Sequence, residues 1–175
     1  MTSRAPVHHA DDPARARPHD VRPGSAPTRT GSAPGRAGHE PDGHRAAIGW
    51  GIVVGIATAA APLAFWWLPA ATVYAVGLAF IAAVYLGFAV ADGRRHVIAV
   101  EVGVLSAFVL VAAAAVTATP WVVVAGLAGH GLKDLWQHRT RFVDNTRWWP
   151  PFCATVDWVA ALLVAVAIIA DGGLR

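Results

Sequence analysis

Cysteine and charge are both scarce in this chain. A single cysteine, Cys153, cannot close an intramolecular disulfide, so helix packing must hold the fold. Only 14% of the 175 residues are charged against 55% apolar, a balance that excludes an ordinary soluble domain. The formal net charge of +3 is small and scattered, and no basic stripe carries interleaved aromatics, which sets a nucleic-acid partner aside. No apolar run opens the chain, and no small-residue cleavage pattern follows, so a secretory signal peptide is not expected. The first apolar segment would serve as its own uncleaved membrane signal. A repeat of solenoid or inverted type is also missing, as is a soluble-type zinc motif such as HExxH.

What charge there is lies at the front. Seven of the fourteen Lys and Arg, five of the eleven acids and five of the eight His precede Ile48, together with seven of the twelve prolines. Residues 1–45 show no apolar periodicity and cannot bury enough surface to offset the entropy of ordering them. They are expected to form a disordered cytoplasmic tail that lies on acidic lipid. His8, His9, His19, His39 and His44 fall in it without regular spacing, and metal capture there is the lesser alternative.

The remainder, residues 46–175, reads as an all-α integral membrane bundle of five transmembrane helices, at about 46–68, 71–91, 97–118, 121–137 and 152–170. Each approaches the roughly 20 residues that a helix needs to cross a hydrocarbon core of about 30 Å. The fourth is the shortest and most polar. Loop charge supports the odd number: Arg36 and Arg45, the turn Asp92-Gly93-Arg94-Arg95-His96, and the segment Arg139 to Arg147 then share one side, while the loops around Pro69 and Thr119-Pro120 carry no charge. By the positive-inside rule the protein is expected in the plasma (inner) membrane with its N-terminus cytoplasmic and its C-terminus outside. Trp66, Trp67, Trp121, Trp148 and Trp149 fall near span ends, where indole rings favour the interface. Gly51 and Gly55 form a GxxxG through which helices can approach closely in lipid, unless the spacing is chance in a Gly- and Ala-rich chain. Pro62 is expected to kink the first helix or mark where it frays.

The few ionisable residues of the membrane region converge in depth. His130, Asp134 and His138 recur at i, i+4 and i+8, within an arc of roughly 80° on one helix face. Cys153 and Asp157 share a face of the fifth helix, and Glu101 lies about 7 Å below His96 on the third. Acids in spans usually face the bundle interior and need partners, here His130, His138, Lys133 or Arg139.

Three functions remain open. The cluster is structural or accessory, its members satisfying one another and fixing how the helices pack. Alternatively the protein is a metal-dependent membrane enzyme. Imidazole, carboxylate and thiolate from His130, Asp134, His138, Cys153 and Asp157 suit a divalent metal, zinc or iron, with Glu101 or Asp157 as the candidate catalytic base. His130 and His138 stand about 12 Å apart along a straight helix, so one ion takes Asp134 with only one of them, completed by Glu101, Cys153 or Asp157. The natural arrangement sets the Cys153/Asp157 stripe against the His130/Asp134/His138 stripe. In the third reading the stripe is a proton path of a small transporter, with groups about 6 Å apart. Cys153 is a nucleophile only if His130 or His138 reaches it. The lipid bilayer is the expected partner; a homo-oligomer is left open, and no protein partner is indicated.

The segments HGLKDLWQH and WWPPFCATVDW, preceded by YLGFAVADGRR and IAVEVG, resemble a group of small uncharacterised bacterial multi-pass membrane proteins with H-x3-D-x3-H and C-A-x-x-D motifs. The resemblance covers roughly residues 84–160. It implies His130, Asp134, His138, Cys153 and Asp157 as a shared set, with Lys133 standing where an aromatic such as Trp is expected. It implies a location for the site and no activity.

Overall fold

The computed structural model describes residues 40–145 and 147–171, with side chains described over 43–145 and 147–170. Five α-helices follow one another: α1 (Glu40–Ala64), α2 (Ala70–Asp92), α3 (Arg95–Thr117), α4 (Trp121–Thr140) and α5 (Trp149–Asp171). Four of them are long and apolar enough to cross a membrane, over Gly43–Ala64, Ala70–Asp92, Arg95–Thr117 and Trp149–Ala170, with mean hydropathy from 1.8 to 2.5. They fit a membrane protein. The fifth, α4, falls short on hydropathy.

The helix boundaries follow local chemistry. The expected tail over residues 1–45 lies mostly outside the described residues, but its last part is helical: α1 begins at Glu40, six residues before the apolar run. Pro41 sits in its first turn, where the missing N–H is no loss. Pro62 removes a helical donor near the other end, and the helix gives way to a turn over residues 65–67 rather than running on to Leu68. Beside that break, the Tyr74 hydroxyl donates to the Ala59 carbonyl at 2.6 Å and ties α2 to α1. Gly93 ends α2 in the left-handed region at φ 79°, its N–H returning to the Ala89 carbonyl. Pro150 and Pro151 lie in the first turn of α5, which therefore starts at Trp149.

Side-chain contacts give the relative direction of neighbouring helices. Glu101 meets Lys133 and Gln137, while Phe108 meets His130, so α3 and α4 are antiparallel. The Trp158 indole faces Ala128 and Asp157 faces His130, so α4 and α5 are also antiparallel. On the α2–α4 side Leu78 lies against Gly126 and Tyr85 against Lys133, a parallel register. Chain direction thus alternates through all five helices.

Gly51 and Gly55 are where α1 meets α5. A Cβ added to Gly51 would fall 2.7 Å from Thr155 Cβ, and one on Gly55 would fall 2.8 Å from Val159 Cβ. The GxxxG expected from sequence is therefore a close helix–helix contact inside this chain, with the two helices parallel.

Burial on α4 inverts the soluble pattern. Its buried residues are Val123, Gly126, Leu127, His130, Gly131, Asp134 and Gln137, a stripe at three- and four-residue steps that carries the polar His130, Asp134 and Gln137 inward. Before His138, the exposed positions are Trp121, Ala125, Leu132 and Trp136. The apolar half of the stripe, Val123 and Leu127, packs with Tyr74 and Leu78 of α2, Ala112 and Ala115 of α3, and Ala160, Val164 and Ile168 of α5. The polar half lies nearer the arginine-bearing loops.

Those loops are clamped together. Arg94 pairs with Asp92 at 2.5 Å and donates to the Phe142 carbonyl at 2.8 Å, while the Asp144 N–H donates to Asp92 at 3.0 Å. The α2–α3 turn and the α4–α5 connection therefore share one end, and the ring of His44 in α1 lies near that of His138 there. At that connection α4 closes on Arg141, the only non-glycine residue at positive φ (50°) among those described. A side chain in that region costs about 1–2 kcal/mol relative to glycine.

Candidate functional site

Two polar networks occupy the buried half of the α2–α5 space, and they differ in whether their members are satisfied. In the first, Lys133 Nζ donates to Glu101 Oε2 at 2.9 Å and Gln137 Nε2 donates to Glu101 Oε1 at 3.2 Å. Gln137 Oε1 in turn accepts the Val143 N–H at 3.3 Å, linking the bundle to the α4–α5 connection. The Lys133 ammonium also rests 3.2 Å from the centroid of the Tyr85 ring, a cation–π contact. Glu101 is thus enclosed with both oxygens paired and its charge balanced.

The second network is centred on His130, Asp134 and Asp157, all three with no exposed surface. His130 Nδ1 lies 2.8 Å from Asp157 Oδ2 and 3.5 Å from Asp134 Oδ2. One ligand-capable atom from each residue falls within 4.8 Å of the others, so the three form a group able to hold a metal ion. Helical geometry explains the arrangement: His130 and Asp134 are one turn apart on the buried stripe of α4, and antiparallel α5 brings Asp157 in beside them. The Phe108 ring stands edge-on to His130 at 4.9 Å between centroids and walls it toward α3.

Unlike the first network, this one is left open. Both oxygens of Asp134, Oδ1 of Asp157, Nε2 of His130 and the Tyr85 hydroxyl are buried without a hydrogen-bond partner. Buried polar groups are ordinarily paired, because an unmade bond in a water-free interior costs about 1–3 kcal/mol and more for a charge. Tyr85 lies between the two networks, with Lys133 over its ring and its hydroxyl within reach of Asp134.

The residues expected from sequence separate as follows. His130, Asp134 and Asp157 come together. Glu101 belongs to the lysine network and is held by Lys133 and Gln137. Cys153 is a free, buried thiol one turn before Asp157, in the field of both aspartates but outside the three-residue group. His138 is exposed in the last turn of α4, its ring 6.1 Å from that of His44. Asp92 serves the loop clamp instead of the buried layer. The tail histidines before His44 lie outside the described residues.

Sequence reasoning missed Tyr85 and Gln137. Gln137 stands seven residues after His130, so the same periodicity that marked Asp134 would have found it. Tyr85 carries no such signal, because a tyrosine in an apolar helix is most simply read as core. Comparison of the chain with protein-family profiles, with curated proteins and with solved structures finds no match.

Proposed function

We propose that this chain is a five-crossing protein of the plasma (inner) membrane, N-terminus cytoplasmic, in which His130, Asp134 and Asp157 bind one divalent metal ion, zinc or iron. The observation that carries the metal reading is the Asp134 carboxylate, fully buried with neither oxygen in a formed hydrogen bond, only His130 Nδ1 at 3.5 Å and the Tyr85 hydroxyl lying near it. An unpaired buried charge costs several kcal/mol, and a cation in contact removes that penalty. With His130 neutral the two aspartates leave two negative charges in one enclosed group, which a divalent ion cancels. One imidazole and two carboxylates are ligand types of zinc and of non-haem iron, and three protein ligands leave coordination open, as in catalytic sites.

A purely structural role describes the Glu101–Lys133–Gln137 network well, since its members are paired. It does not account for five unpaired atoms around His130. A proton path has less support: from His130 toward the Thr119–Pro120 end, the helices carry no Asp, Glu, His, Lys or Arg among the described residues except Asp171 at the very end of α5.

Five crossings are supported by the surface of α4. Its 20 residues span about 30 Å at 1.5 Å per residue. Its low mean hydropathy comes from residues that α2, α3 and α5 cover, and what it exposes before His138 is apolar. The arginine-bearing loops at one end and the uncharged loops at the other support the cytoplasmic orientation. Membership of the bacterial group with H-x3-D-x3-H and C-A-x-x-D belongs to the same proposal.

Metal analysis of the full-length protein, purified in detergent without chelator, tests the reading. About one zinc or iron per chain is expected, lost in Asp134→Asn and Asp157→Asn and kept in Glu101→Gln. Folded wild-type protein without a stoichiometric metal, and unable to take one up, overturns it.

A further inference from the structure

The α4–α5 connection holds a second polar site, at the arginine-bearing end and outside the spans. A cavity of about 40 Å³ lies there, lined by Gln137, His138, Arg141, Asp144, Asn145 and Arg147 among others. That is room for about three waters or one tetrahedral oxyanion.

Three observations bear on what it takes. Arg141 occupies the left-handed position that closes α4, where glycine is the unstrained choice, and the residue found there is a cation that lines the cavity. Asn145 Nδ2 is buried with no acceptor, although Asn145 lines the same cavity. Of the acceptors nearby, Gln137 Oε1 takes the Val143 N–H, while the Asp144 carboxylate also lines the cavity, its charge offset in part by Arg94. An unpaired donor beside guanidinium groups, in a space the size of an oxyanion, is the chemistry of phosphate recognition, for which the planar donor fork of arginine is suited.

We propose that this cavity binds a phosphate oxyanion at the membrane surface, through the Arg141 guanidinium and the Asn145 amide, with Arg147 and His138 beside them. The phosphate is that of an anionic lipid headgroup or free inorganic phosphate; basic pockets at the cytoplasmic side of helix bundles take such headgroups. The site is independent of any metal at His130.

The test uses the full-length chain in nanodiscs of phosphatidylcholine, with or without phosphatidic acid. A headgroup ligand raises the unfolding midpoint in phosphatidic-acid discs above that in neutral discs. A free-phosphate ligand instead gives saturable binding of inorganic phosphate in neutral discs. In either case Arg141→Gly weakens the response at least about tenfold, the loss of a charge-assisted contact, without lowering the midpoint in neutral discs. Asn145→Asp, close in shape, does the same by repulsion. Arg95→Gln removes one charge from the same end outside the cavity and leaves the response within about twofold. Absence of response to both probes, retention of it in Arg141→Gly and Asn145→Asp, or an equal loss in Arg95→Gln overturns the proposal.

Discussion

Replacing Asp134 by asparagine changes one oxygen for an amide nitrogen in a site with no exposed surface, and the metal and structural readings assign it opposite signs. In the metal-free protein, His130 lies 2.8 Å from Asp157 and 3.5 Å from Asp134, and a single imidazolium cannot neutralise both carboxylates. One negative charge stays buried with no cation of its own, the Tyr85 hydroxyl being the neutral donor within reach. Asparagine removes that charge, keeps the shape of the side chain and brings two donors into a group whose Asp157 Oδ1 and His130 Nε2 have no partner. The metal-free protein should therefore gain about 1–3 kcal/mol from the change, the usual cost of an unsatisfied buried group. At about 2–4 °C per kcal/mol for a chain of this size, the midpoint rises by several degrees. Wild-type protein with zinc at 100 times its Kd should gain about 2.7 kcal/mol over its chelated form, whereas the variant gains almost nothing. Thermal unfolding in detergent, with chelator and with zinc, reads all four values. If Asp134→Asn unfolds below chelated wild type, and by the same margin with zinc, the carboxylate is a structural acceptor and the charge argument fails.

Other substitutions probe the surrounding bundle. Gly55→Val forces a Cβ to within 2.8 Å of Val159 Cβ and should cost about 1–3 kcal/mol in a denaturant titration, while Gly103→Val, whose added Cβ meets open space, should stay within about 0.5 kcal/mol. Equal effects would mean that the α1–α5 contact is not close. Glu101→Gln leaves Lys133 beside a neutral amide and should destabilise by about 3 kcal/mol without loss of metal; adding Lys133→Met should restore most of it, and an additive double variant refutes the pairing. Single-cysteine probes at Thr119 and Arg139, in a Cys153→Ser background, should label from opposite sides of the membrane. Labelling from one side would show that α4 does not cross.

Part of this was legible in the chain itself. Five helical segments follow from apolar runs separated by Pro69, the Asp92–His96 turn, Pro120 and the segment after Thr140, and the helices agree with them to within a few residues at most ends. The exceptions are the start of α1, which lies at Glu40 inside the expected tail, its end, brought forward by Pro62, and the start of α5, where Pro150 and Pro151 suit the first turn rather than a loop. The i, i+4 spacing of His130 and Asp134 marked one edge of the buried centre correctly, because helical periodicity depends only on local geometry. His138 fits the same spacing, yet it lies in the last turn, where the side chain reaches the exposed end of the bundle beside His44.

Sequence alone determined which segments are helical and which residues carry charge, since both depend on side-chain chemistry and short-range backbone geometry. The facing of the α4 stripe and the Cys153/Asp157 stripe of α5 could also be read from it, but not which atoms pair. That Asp157 rather than Glu101 joins His130, that Lys133 neutralises Glu101, and that Tyr85 lies between the two sets depend on the rotation and depth of each helix. Those are decided by contacts such as Gly51 and Gly55 against α5 and Leu78 against Gly126, between residues far apart in the chain. Only the packed bundle shows which buried polar atoms have found partners and which, around Asp134, have not.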